Sequence, residues 1–329
     1  MLISAAVPVH NEEANIGLLI DTLRDQRLVS GTLVEIVVVA SGCSDRTAEI
    51  VRERQLRAGV PVRLIEEAQR SGKVAAINTY LQHQTQAVDA LLLCSGDLLV
   101  APDALERLAR CLHDSPAIGM CGARPMPTNA RGTFLGEATN FLWNMHHRVA
   151  LESPKLGEMV MLRAGIVDSL PPESIVDEAN LEQLIRAAGY ELAYVPEAIV
   201  RNHGPETPRE FLRQRRRIAA GHYWLADASG YRVATMNLPR VARLALAELA
   251  EMQPEAVICA VGAIALECVA RALGFIDFKI DLKKHIVWKV SQTTKSVANE
   301  EIRALYNLTD DSSSIGSSRS RDARPAAAA

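Results

Sequence analysis

A change of hydrophobic period constrains this chain more than any other feature. Over the first 120 residues, short β-branched runs alternate with stretches whose apolar residues recur every three or four positions. That is the pattern of βαβ units and a mainly parallel sheet. Residues 3–8 and 34–40 read as buried strands. Between them Ile16, Leu19, Ile20 and Leu23 fall at i, i+3, i+4 and i+7, the single stripe of a helix lying on a sheet. The same reasoning gives strands at 62–65 and 90–94 and helices at 73–82 and 103–113. The expected class is α/β, a Rossmann-like, mostly parallel sheet flanked by helices.

From Cys121 the regularity weakens. A loop rich in Pro and Asn (Pro125, Pro127, Asn129) leads to a helix around 134–150, a short strand at 158–162, a helix over 178–188 closed by Gly189, and a strand at 192–196. Beyond Pro208 the chain reads as strongly helical. Residues 238–276 are rich in Ala, Leu and Val but are interrupted by Glu248, Glu251, Glu255, Glu267 and Arg271. They read as amphipathic helices touching a membrane surface rather than as a span. No run of 18 residues is free of charge, which excludes a polytopic membrane protein. The last twenty residues are Ser, Arg, Asp and Ala with almost no bulky apolar side chain, so the segment 308–329 is expected to be disordered.

A formal net charge of -3 argues against a globally basic nucleic-acid binder. The six cysteines form no CxxC pair and no zinc spacing, and the chain opens directly into a strand-like run without a secretory leader. These features together predict reduced thiols and a cytoplasmic protein.

In an open α/β sheet, ligands lie beyond the carboxyl ends of the strands. Four such places are polar here: Pro8-Val9-His10-Asn11-Glu12, Ser41-Gly42-Cys43-Ser44-Asp45, Arg70-Ser71-Gly72-Lys73 and Ser95-Gly96-Asp97. Each has a plainer role, Asn11, Ser44 or Asp45 as helix caps and Gly72 as a turn. All four on one edge point instead to a ligand. GxGxxG and Walker loops are both absent. A nucleotide site would then rest on loop backbone, a lysine or arginine, and the lone carboxylate Asp97, placed where a divalent cation bridging a diphosphate is held.

At this point the chain resembles a known family, the inverting nucleotide-sugar glycosyltransferases of family 2 with the GT-A fold. PVHNEEANI (8–16) resembles that family's opening motif, SGCSDRT (41–47) its second nucleotide-side loop, and GKVAAIN (72–78) its Gly-Lys helix start. SGD (95–97) stands in the place of the metal-binding DXD, Asp177-Glu178 in that of an acidic pair, and QRRRI (214–218) in that of QxxRW. The resemblance spans about residues 2–225. It implies a nucleotide-sugar half at 1–120 and an acceptor and catalytic half at 121–230, followed by a helical extension at 231–307.

What the resemblance implies for the site follows motif by motif. Pro8, His10, Asn11, Glu12, Ser41, Lys73, Ser95, Gly96 and Asp97 would bind the nucleotide sugar. Glu178 would be the general base, with Asp177 as alternate, and Gln214, Arg215 and Arg217 would serve the diphosphate or acceptor. Asp97, with His203 as a further ligand, would hold Mg²⁺ or Mn²⁺. Arg213 and Arg216 read as solvated charges, because four arginines in five residues cannot share one helical face. Trp143, His146 and His147 lie on a helix of the acceptor half. The expected partners are a nucleotide diphosphate sugar and a glycan, small-molecule or lipid-linked acceptor, with a membrane surface in contact and no nucleic acid.

The departures bear on activity. Ser95 replaces the first acid of the DXD, Ala40 and Ser41 replace acids that hold the base and ribose of the nucleotide, and Ile218 replaces the tryptophan of processive members. Single-sugar transfer is therefore expected rather than polymer synthesis. The alternative is a catalytically inactive nucleotide-sugar-binding or scaffold protein with the same fold. A nucleotidyltransferase fits less well, because the loop after the first strand is acidic where that chemistry wants a basic, glycine-rich one.

Overall fold

Eight strands form one sheet in the order β3-β2-β1-β4-β7-β6-β8-β5. The computed structural model describes residues 1–84, 87–280 and 293–294, all within one compact unit, Met1–Val297. β1 (Leu2–Val9), β2 (Thr32–Ser41), β3 (Val62–Glu67) and β4 (Ala90–Cys94) run parallel; β1, β2 and β4 are largely apolar because helices cover both faces, whereas β3 at the sheet edge carries Arg63, Glu66 and Glu67. α1 (Ile16–Arg24), α2 (Thr47–Gln55) and α3 (Lys73–Gln82) make the crossovers. α2 was not anticipated. Only Thr47 and Val51 of its nine residues are buried, too few to write a period.

In the other half two strands run against the remaining six, so the sheet is mixed but still mostly parallel. β7 (Met159–Arg163) runs antiparallel to both β4 and β6 (Ile118–Pro127), β6 pairs parallel with β8 (Glu191–Asn202), and β5 (Leu99–Val100) closes the edge antiparallel to β8. Pro125 and Pro127, expected in a loop, end β6, and Asn129 follows in the loop beyond it. β7 pairs only with Met120–Gly122 of β6, so Pro125 and Pro127 have one neighbouring strand and their missing N–H groups cost no second ladder. Reversal of β7 has a consequence for the site, because it brings the start of that strand to the edge where β1 and β4 end.

α4 (Ala104–Asp114) buries Leu105, Leu108, Ala109 and Leu112 under this sheet. Each such leucine contributes about 2 kcal/mol. α5 (Phe134–Glu152), α7 (Pro208–Ser229), α8 (Leu238–Glu251) and α9 (Pro254–Ile280) form a separate layer around Phe141, Met145, Phe211 and Leu244. α6 (Asp177–Ala187) packs on the sheet through Leu181 and Ile185.

α9 departs from the amphipathic reading. Its 27 residues contain a window of mean hydropathy 2.0, of which 17% is buried, so by length and composition it could cross a membrane. Glu267, Arg271 and Asp277 point inward, whereas Glu255 and Lys279 near its ends are exposed. Glu267 accepts from Arg215 Nε and Nη2 of α7 at 2.7 and 2.9 Å and from Arg271 at 2.8 Å, and fully buried Asp277 pairs with Arg216. Arg216 is therefore an anchor for α9 rather than a solvated charge. With these charges paired inside, Ile258, Val261, Val269 and Ile276 face outward and exposed. The expected disorder at 308–329 and the part of the helical extension at 281–292 and 295–307 lie outside the described residues.

The ion-pair cluster gives a stability prediction. Burial alone would raise the Glu267 carboxyl, but Arg215 and Arg271 hold it at about 2. A depressed carboxyl adds stability above pH ~4.5 that is lost as pH falls toward 2. Glu267→Gln leaves two buried guanidinium groups uncompensated. It is expected to cost about 3 kcal/mol in chemical denaturation at pH 7, with the difference from wild type shrinking below pH ~4. An unchanged midpoint at pH 7 would contradict the anchoring role.

Candidate active site

The strand tips meet in one cavity of about 1040 Å³. Pro8, His10 and Glu12 enter from β1, Ser41 from β2, Lys73 from the start of α3, and Ser95, Gly96 and Asp97 from the end of β4. Asp177 and Glu178 come from the first turn of α6, and His203, Gln214, Arg215 and Arg217 from the β8–α7 region. Two glycines make the approach possible. Gly72 has φ +97 at the head of α3, and a Cβ on Gly96 would lie 2.6 Å from Val9 Cγ1. The loops brace one another: His10 Nδ1 lies 2.8 Å from the Ser41 carbonyl oxygen, and Ser71 N donates to Ser41 Oγ at 3.3 Å.

Asn11 is the predicted residue that does not line the cavity. At φ 55, its side chain donates to Ser44 Oγ at 3.1 Å and accepts from Ser44 N at 2.8 Å, tying the first loop to the second. Its role in the structure is local bracing.

The centre of the cavity is a lysine between two acids. Lys73 Nζ lies 2.7 Å from Glu178 Oε1, 2.8 Å from Asp177 Oδ2 and 3.3 Å from Ser95 Oγ. Burial acts on both carboxyls with opposite outcomes. Burial and the neighbouring Glu178 charge raise Asp177 to about 6, whereas for Glu178 the Lys73 ammonium overcomes burial and holds the carboxyl at about 2. Their position in the first turn of α6 adds the favourable end of the helix dipole.

Arg217 reaches the same acids from α7. It donates to the Ile175 carbonyl oxygen at 3.3 Å, just ahead of α6. Burial lowers its pKa, opposed by Asp177, Glu178 and Glu158. Arg215 also lines the cavity, but its bidentate bond to Glu267 commits it to α9. His203 has both ring nitrogens engaged, Nδ1 with Thr128 Oγ1 at 2.8 Å and Nε2 with Glu206 Oε1 at 3.0 Å. That geometry ties the β8–α7 loop to Thr128 and Glu206.

Sequence reasoning missed Glu158. It precedes β7 at φ 62, its carbonyl accepts from Ser95 N at 2.9 Å, and its side chain bonds to Ser95. Burial, then Asp97 and Glu178, raise its carboxyl to about 7. The only sequence signal was a glutamate directly before an apolar run. Inspecting carboxyl ends of strands could not find it, because an antiparallel strand brings its amino end to that edge.

Among the described residues no three His, Cys, Asp or Glu side chains form a metal-holding group. The donor chemistry nonetheless fits Mg²⁺ or Mn²⁺. Hard cations of this kind need one or two carboxylates when phosphates complete the shell, and Asp97 with Glu158 beside it provides them.

Residues 4–157 match the family model described as Glycosyl transferase family 2, and residues 91–268, more than half of the chain, match Glycosyl transferase family group 2. The chain belongs to the family 2 glycosyltransferases. Its GT-A fold is similar to that of a mannosyltransferase from Pyrobaculum calidifontis in complex with GDP-Man and Mn²⁺, with a TM-score of 0.61, 19% identity, and coverage of 85% of this chain and 88% of that one. A mycobacterial protein matches with a TM-score of 0.50 at 20% identity, over 69% of this chain and 74% of that one. An uncharacterized protein of Methanocaldococcus jannaschii is 30% identical over 122 residues, 36% of this chain, which spans about half the length of that curated relative. In this family 2 chain the matched segments run from β1 through α9, so the strand-tip loops, the acidic pair and the arginine helix all fall inside them.

Proposed function

We propose that this protein transfers a single sugar from a nucleotide diphosphate sugar to an acceptor hydroxyl or lipid phosphate, with inversion, at the cytoplasmic face of a membrane. The observation that carries this reading is the convergence of Asp97, Lys73, Asp177, Glu178 and Arg217 on one cavity at the strand tips. The Pyrobaculum mannosyltransferase, solved with GDP-Man and Mn²⁺, supports the same donor class.

Inversion is one in-line displacement at the anomeric carbon. A carboxylate takes the acceptor hydroxyl's proton as the new bond forms, and positive charge receives the electrons that leave with the diphosphate. Glu178 is the proposed base, because it is the more open of the two acids, with 22% of its side chain exposed against 10% for Asp177. Asp177 is the alternate. Lys73 blunts the basicity of both until the diphosphate competes for its ammonium. Arg217 supplies the buried charge on the leaving-group side. Asp97, with Glu158 beside it, would hold Mg²⁺ or Mn²⁺, which screens the diphosphate charge when bound. His203 would be a further ligand of that metal if its ring left Glu206, and Arg215 is held by Glu267 on α9.

Calorimetric titration with UDP, GDP and TDP sugars, with and without Mn²⁺, tests this reading. One of the donors is expected to bind in a Mn²⁺-dependent manner, and Asp97→Asn to weaken Mn²⁺ binding at least tenfold. No binding by any donor would refute it. Mn²⁺-independent binding with no sugar released to water would favour the inactive binder, a reading that the serine at 95 and the missing acids at 40 and 41 recommend.

A further inference from the structure

The cavity does not end at the donor. Beyond the acids it continues between α5, α7, α8 and α9, and each helix turns one face to it at helical spacing. α5 presents Thr139, Leu142, His146 and Val149, and α8 presents Leu238, Val241, Ala242 and Ala245, an unbroken apolar stripe. Ile264 of α9 lines the same arm. Leu238, 65% exposed, marks where the arm reaches the surface. At the carboxyl end of α9, Phe275, Phe278 and Tyr223 cluster, with Lys279 Nζ 4.9 Å from the Phe278 ring centre, an arrangement suited to a membrane–water boundary.

The wall between the acids and this apolar arm holds polar atoms that lack hydrogen-bond partners among the described residues. They are Thr139 Oγ1, His146 Nδ1 and Asn202 Oδ1, all buried atoms of residues lining the cavity. A buried polar atom left unpaired costs about 1–3 kcal/mol, so a ligand with hydroxyl groups gains by pairing with these three atoms of the cavity wall. Burial first, then Lys155 and Arg215, hold His146 at about 3, so it is neutral at pH 7 and suited to hydrogen bonding with hydroxyls.

We propose that the acceptor is an amphipathic lipid: its hydroxyl-bearing head lies between Glu178 and the His146–Thr139–Asn202 wall, and its apolar chain runs through the α5–α8–α9 arm to the bilayer on which α9 rests. The inference rests on the transferase reading above and names its acceptor class. The chemistry is the same displacement. The head-group oxygen bonds to the anomeric carbon, the bond from that carbon to the diphosphate breaks, the electron pair leaves with the nucleotide, and the hydroxyl proton goes to Glu178.

The test uses the full chain and alkyl glucosides of increasing length, methyl to dodecyl, each below its micelle concentration. Affinity is expected to rise with chain length, by up to about fourfold for each methylene that enters the arm. Ala245→Trp fills the arm and is expected to flatten that series, with Val241→Phe as a second variant should the first misfold, while Mn²⁺-dependent donor titration stays as in wild type. Neutral phosphatidylcholine vesicles are expected to carry the wild-type chain in flotation. A flat chain-length series in a protein that still binds donor would overturn this inference and leave the transferase reading standing, as would a chain-length effect that survives both substitutions. Loss of donor binding in wild type would instead refute the reading beneath it.

Discussion

Glu178→Gln is expected to bind the nucleotide sugar and lose transfer by ~10²–10⁴-fold, the usual contribution of a positioned general base. The amide keeps the shape of the side chain and a hydrogen-bonding oxygen toward Lys73, which lies 2.7 Å from Glu178 Oε1, but it cannot accept the acceptor's proton. Asp177→Asn separates the two acids. If Glu178 is the base, Asp177→Asn retains most of the turnover, because Asp177 contributes charge to the Lys73 cluster and receives no proton from substrate. The pH profile distinguishes them as well. Burial and Glu178 lift Asp177 to about 6, so it ionises as pH rises through that value. Any acidic limb of kcat/KM near 6 belongs to the coupled pair and should move in Asp177→Asn. Full turnover in Glu178→Gln would remove the assignment.

Arg217→Ala is expected to lower kcat by ~10²–10³-fold, the range measured when one preorganised donor to a developing negative charge is removed. Arg217→Lys should recover part of it, since an ammonium supplies charge without the planar fork. The defect should fall on kcat more than on donor affinity, because the charge on the leaving diphosphate grows in the transition state. The neighbouring arginines provide the contrast. Arg215 is held by Glu267 and Arg216 by Asp277, so substituting either should appear first as lost stability. Steady-state kinetics beside a denaturation curve for the three arginine variants separates the roles, and an Arg217→Ala enzyme with wild-type kcat would contradict the account.

The nucleotide-side half was legible because its signals are local. Strands buried on both faces write continuous apolar runs, α1 writes a clean stripe, and the turns after β1, β2 and β4 carry polar residues that the parallel topology gathers on one edge. Lys73 and the Asp177–Glu178 pair are 104 and 105 residues apart in the chain, yet both could be placed near that edge from the motif series. What was hidden depended on long-range pairing. Reversal of β7 brought Glu158 beside Asp97, and no local pattern announces an antiparallel strand in the middle of such a sheet. Arg216 read as a solvated charge, and Arg215 as a diphosphate or acceptor ligand, because their partners Asp277 and Glu267 lie 61 and 52 residues away on α9. The same pairs explain why α9 looked amphipathic in sequence: its charges Glu267 and Asp277 exist, but they face α7.

The central claim is that the strand tips hold a diphosphate while an acid waits on the far side of the anomeric carbon. A crystal structure of Glu178→Gln with intact nucleotide sugar and Mn²⁺ tests it most directly. The diphosphate and metal are predicted at Asp97, facing Arg217, with the residue-178 side chain directed at the anomeric carbon opposite the leaving oxygen. A donor bound elsewhere, or one whose anomeric carbon turns away from residues 177 and 178, would contradict it.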